Sequence, residues 1–123
     1  VFGPTSTKQV LSSTEKRQMV NRYGRKTLEA ILDEPSIENF LSCCWEFAKK
    51  AGFATERVKG LVKLAEKAGA VGAAQNMVGE AVHAVTLEEN AVAVAEAFKL
   101  ALPKEGIIVS KIDFQCARLV SET

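Results

Sequence analysis

The residues with the most chemical promise sit in two short stretches. Ser6 and Thr7, followed by Lys8, place two hydroxyls and an ammonium side by side near the beginning of the chain. Residues 72–79 read Gly-Ala-Ala-Gln-Asn-Met-Val-Gly and set the side-chain amides of Gln75 and Asn76 between Gly72 and Gly79. Small residues over 69–74 would let a ligand approach the main chain closely, so that backbone N–H groups near Gly72 and Gly79 could donate to it. Hydroxyls, amides and backbone N–H groups are the kind of donors that surround a phosphate. Each also has a purely structural reading. Gly72 and Ala73 would let a helix pack tightly on a strand. Gln75 and Asn76 would be turn residues, and Ser6, Thr7 and Lys8 solvated loop.

Other reactive side chains point to little chemistry. His83 is the single histidine, and on a strand it shares a face with Ala81 and Val85. It has no acid partner nearby in sequence, so a core or edge histidine is the better reading than a catalytic base. Cys43, Cys44 and Cys116 form no CxxC pair and no cluster with histidine. They read as small hydrophobes in a reducing compartment, and no metal site is expected. Trp45 and Phe47 read as core, or as a surface facing another domain.

The totals set the frame. The chain has 123 residues, 47% hydrophobic and 25% charged, an ordinary balance for one globular domain. Sixteen basic and fifteen acidic residues are mixed along it, leaving a net charge of +1. That provides no one-signed field of the kind by which a protein grips nucleic acid. No apolar run reaches the roughly 20 residues that a membrane crossing needs. No leader is visible, and a cytoplasmic location is expected.

The elements that must position these residues can be read from caps and periodicity. Residues 1–11 read as loop, with a turn at Gly3-Pro4. Ser12 and Glu15 form a capping box for a helix carrying Met19, Val20, Tyr23, Thr27, Leu28 and Ile31 on one face, ending at Pro35. Ser36 caps a second helix that ends at Gly52, and Thr55 caps a third that ends at Gly69. Residues 70–74 and 81–85 then read as two strands around a turn. Thr86 and Glu89 form another capping box, for a helix over Leu87–Leu102. Ile107–Ile112 is the best strand signal in the chain, and Phe114 and Leu119 could add a short edge. Three helices, two strands, a helix and a strand predict an α+β fold, a mostly antiparallel sheet covered by helices. A ferredoxin-like unit needs one further strand. That strand is expected upstream of Val1 or within residues 1–11.

Three segments together resemble the carboxy-terminal domain of archaeal pantoate kinases, a branch of the GHMP kinases: residues 3–8 (Gly-Pro-Thr-Ser-Thr-Lys), residues 34–40, and residues 69–79, which resemble the family's third motif. The resemblance implies a ferredoxin-like GHMP kinase C-terminal domain over residues 12–123, with 1–11 as the inter-domain loop. It implies transfer of the ATP γ-phosphate to pantoate in coenzyme A biosynthesis, with ATP and Mg²⁺ as cofactors of the full-length enzyme. It also implies an amino-terminal domain as partner, because no glycine- and serine-rich nucleotide loop and no Walker-type motif occurs here. This chain alone would then be inactive and hold no cofactor, and its uncovered interface would favour a homo-oligomer. Residues 72–79 are poorer in Gly and Ser than in other GHMP kinases. The resemblance favours Ser6, Thr7, Gly72, Gln75, Asn76 and Gly79 as substrate- or nucleotide-binding residues. The chain's start at Val1 fits a piece of a larger enzyme. The alternative is a stand-alone ferredoxin-like ligand-binding or dimerisation module without catalysis.

Overall fold

The computed structural model describes residues 6–103 and 106–121. Gly3, Pro4 and Thr5 of the first resembling segment lie outside them. The chain folds as an α+β structure: a one-turn helix α1 (Thr7–Val10), three longer helices α2 (Thr14–Asp33), α3 (Ile37–Lys50) and α4 (Glu56–Lys67), a hairpin of β1 (Gly72–Gln75) and β2 (Val82–Val85), a 3₁₀ turn (Glu88–Asn90) and α5 (Ala91–Phe98). Residues 1–11, expected to be loop, thus include a helical turn. Ser6 starts it by accepting from the Gln9 N–H at 3.4 Å.

Local chemistry explains the helix boundaries. Ser36 accepts from the Asn39 N–H (3.1 Å) and Thr55 from the Val58 N–H (3.3 Å), the caps expected for α3 and α4. The cap of α2 falls one residue later than the sequence indicated. Ser13 accepts from the Lys16 N–H at 3.1 Å, and the Ser12 hydroxyl instead donates to the Gln9 carbonyl at the end of α1. Gly52 and Gly69 take φ values of 78° and 97°, the left-handed geometry that ends α3 and α4.

β1 and β2 pair antiparallel, with Gly72 opposite Val85 and Gln75 opposite Val82. The core lies where α4 and α5 meet this hairpin. Val62, Ala65, Ala73 and Val94 are buried there, with Trp45, Val82, Ala84 and Phe98 packed around them. α3 reaches β1 from its own side through Leu41, which is 1% exposed. α2 packs on α3 but buries none of its residues completely.

Two expectations fail. The helix over Leu87–Leu102 is shorter and begins as a 3₁₀ turn; the Thr86 hydroxyl donates to the Leu87 carbonyl, and no side chain caps the turn. Ile107–Ile112 forms no strand, and Phe114 and Leu119 form no edge. Strand propensity is a preference for a half-buried pleated surface, and these side chains lack one: Phe114 is 95% exposed and Ile108 86%.

Candidate functional site

The sheet turn is built from the inside out by Gln75. Its side chain lies 5% exposed at the end of β1. Nε2 donates to the Phe53 carbonyl at 3.0 Å and to the Gly79 carbonyl at 2.9 Å. Two acceptors on one amide nitrogen fix the orientation of the amide. Gln75 therefore ties the turn to the α3–α4 connection and presents no N–H to a ligand. Its Oε1 is buried with no hydrogen-bond partner among the described residues. Asn76 is exposed, and its backbone N–H donates to the Ala81 carbonyl at 2.7 Å. Met77 follows with φ 54°, a left-handed conformation unusual for a side chain of its size.

Beside this turn lies an open pocket of about 390 Å³. Val10 and Lys16 line it from α1 and the start of α2, Phe53 and Thr55 from the α3–α4 connection, and Val78 and Glu80 from the hairpin. The Thr55 hydroxyl donates to Glu80 Oε2 at 3.0 Å, and the Arg57 guanidinium lies 3.8 Å from the same oxygen. Glu80 thus fixes the hairpin to the first turn of α4. Lys16 contributes a cation beside the cavity. Neither Lys16 nor the Thr55–Glu80 pair was singled out as a site from sequence. Their partners are 25 residues apart, and no local pattern marks them.

The predicted site residues separate into groups. Gln75, Asn76 and Gly79 share the hairpin turn. Ser6 and Thr7 belong to α1, whose Val10 lines the cavity, although neither lines it. Gly72 sits at the far end of β1, where an added Cβ would stand 2.9 Å from both Cβ and Cδ1 of Leu41. That contact gives Gly72 a packing reason of its own. His83 lies on β2 opposite Ala74, half-buried, and desolvation lowers the pKa of its imidazole.

The pantoate kinase of Methanocaldococcus jannaschii is 28% identical to this chain over 89 residues, which are 72% of this chain and 32% of that protein. The chain is similar to part of that pantoate kinase. The resemblance to pantoate kinases therefore holds, and the match spans about a third of that protein's length. No protein-family model and no solved structure matches the chain. No helix among the described residues is long and apolar enough to cross a membrane.

Proposed function

We propose that this chain is the carboxy-terminal, substrate-side part of an ATP-dependent small-molecule kinase that phosphorylates pantoate in archaeal coenzyme A biosynthesis, in the cytoplasm. The observation that carries this reading is the similarity to the pantoate kinase of M. jannaschii. The α+β hairpin-and-helix arrangement is compatible with part of a ferredoxin-like domain, which residues 12–123 would form. Residues 1–11 would lead in from an amino-terminal domain that carries the nucleotide loop.

In the reaction the bond from the γ-phosphorus to ADP breaks, a bond to a substrate hydroxyl oxygen forms, and the hydroxyl proton leaves. The groups of this chain would act by positioning and by donating to oxygen-rich substrate. Asn76, which is exposed on the turn, and the backbone N–H at Gly79 would be the donors for that. Ser6 and Thr7 would approach from α1, and Lys16 would add positive charge. Gln75 and Gly72 would hold the turn and its strand in place. Among the described residues no group of three His, Cys, Asp or Glu side chains is placed to hold a metal ion.

The test is an assay of the protein encoded by the full reading frame, with ATP, Mg²⁺ and pantoate. ADP and phosphopantoate should appear in equal amounts, whereas the 123-residue chain alone should give neither. Asn76→Ala in the full-length protein should lower kcat/KM by roughly tenfold, equivalent to about 1.4 kcal/mol. Turnover by the 123-residue chain alone would overturn its role as a part, and an inert full-length protein would overturn the kinase reading.

A further inference from the structure

The outer side of α2 combines an apolar centre with segregated charge. α2 packs on α3 with the side that carries the half-buried Tyr23, Gly24, Thr27 and Ile31. About 110° round the helix, Asn21, Arg25, Leu28 and Leu32 make a second stripe. Its steps of four, three and four residues are those of a coiled-coil seam. All four side chains are exposed, Leu28 to 56% and Leu32 to 68%. The Asn39 amide donates to the Ala30 and Glu34 carbonyls at 2.9 and 2.8 Å, which holds the start of α3 against the end of α2.

Charge divides at the leucines. Residues 16–28 carry Lys16, Arg17, Arg22, Arg25 and Lys26 and no acidic residue. Residues 29–38 carry Glu29, Asp33, Glu34 and Glu38 and no basic one. None of these charges takes part in an ion pair among the described residues. Elsewhere Lys49, Lys59 and Lys99 each pair with a glutamate one turn back. The unpaired charges of α2 and of the α2–α3 corner therefore face solvent on either side of an apolar patch.

Such a surface is its own complement. Turned end for end about a two-fold axis, the basic half meets the acidic half twice, and the leucines meet in the middle. Antiparallel helix dipoles act in the same sense. A partner of one sign, such as a nucleic acid or an anionic membrane, would be attracted to one half and repelled by the other.

We propose that two copies of this chain pair through the outer side of α2, antiparallel about a two-fold axis level with Ala30. Leu28 of each copy then meets Leu32 of the other, and Lys26 stands opposite Glu34. The basic half of each α2 continues over the other copy's α2–α3 corner, where Asp33, Glu34 and Glu38 stand. This pairing does not depend on the kinase reading, since it rests on the charge and exposure of one helix face.

The experiment is sedimentation equilibrium from about 10 μM to 1 mM, on the 123-residue protein and on the protein encoded by the full reading frame. Both should dimerise with a Kd of roughly 100 μM, the weak association of a small interface. Arg25→Glu with Lys26→Glu should raise that Kd by about tenfold or more, because the surroundings of the leucines become acidic throughout. Asp33→Lys with Glu34→Lys should do the same with the opposite sign. Mixed one to one, the two double variants should form a heterodimer at least as tight as the original dimer. Rescue on mixing also shows that both variants fold. The proposal is overturned by a protein that stays monomeric at about 1 mM, by reversed variants that dimerise as before, or by a mixture that restores nothing. Dimerisation of the 123-residue chain alone, with a monomeric full-length protein, would also overturn it and assign the face to another domain of the same chain.

Discussion

At the scale of single residues, Gly72 carries a sharp steric demand. A methyl group there would meet Leu41 Cβ and Cδ1 at 2.9 Å, and Leu41 is itself 1% exposed with little room to withdraw. Gly72→Ala should cost about 1–3 kcal/mol from overpacking. Leu41→Ala alone should cost about 2–5 kcal/mol from the cavity it leaves. The double variant should cost clearly less than the sum, because the new methyl occupies part of that cavity; urea unfolding of all four proteins measures this, and strict additivity would refute the contact. His83 gives a second test. Burial holds its imidazole pKa below the ordinary 6.5, so the folded state favours the neutral ring. Between the folded value and 6.5 the unfolded chain binds more protons. Stability from this group is therefore complete above 6.5 and is lost as pH falls through the window toward the folded value. Urea midpoints between about pH 5 and 7.5 should rise with pH, and His83→Gln should flatten that rise.

At the scale of elements, α4 depends on Thr55 for more than its start. The hydroxyl oxygen accepts from Val58 N–H, and the same hydroxyl donates to Glu80 across to the hairpin. Thr55→Ala should cost about 1–2 kcal/mol, while Thr55→Ser should keep most of that, read from denaturant midpoints. Equal losses in both variants would show that the methyl group and not the hydroxyl matters. The caps at Ser36 and Thr55 and the stops at Gly52 and Gly69 were legible in the sequence because each is a contact within one turn. The hairpin was legible for a similar reason, since its glycines argue against a helix and its strands adjoin the turn. Ile107–Ile112 was misread because a strand is completed by a partner remote in sequence, and the pattern of one run says nothing about that partner. The start of α5 was misread because residue type alone does not show whether a threonine hydroxyl meets the first N–H groups of a helix, and that of Thr86 meets the Leu87 carbonyl instead. The candidate site was legible only as a stretch. That Gln75 turns inward to Phe53, 22 residues away, while Asn76 stays exposed is a consequence of tertiary packing that residue type does not reveal.

At the scale of the whole molecule, the apolar surface is unevenly shared. Leu41, Leu61, Val58 and Val62 are the largest fully buried side chains, and three of these four belong to α4. α2 is the longest helix at 20 residues, yet Leu28 and Leu32 remain 56% and 68% exposed on it. Ile37 and Phe40, at the start of α3, are 45% and 42% exposed. The unequal burial also has a kinetic meaning. An amide in α4 can meet solvent only when the core itself opens, so its exchange should report the global free energy of unfolding. Amides of α2 should exchange through a smaller opening that leaves α4 and the hairpin intact. Native-state exchange at low urea would separate the two, with a steep urea dependence for α4 and a shallow one for α2. Identical dependences would mean that the helix with no buried residue is nevertheless bound into one cooperative unit with the helix that carries the core.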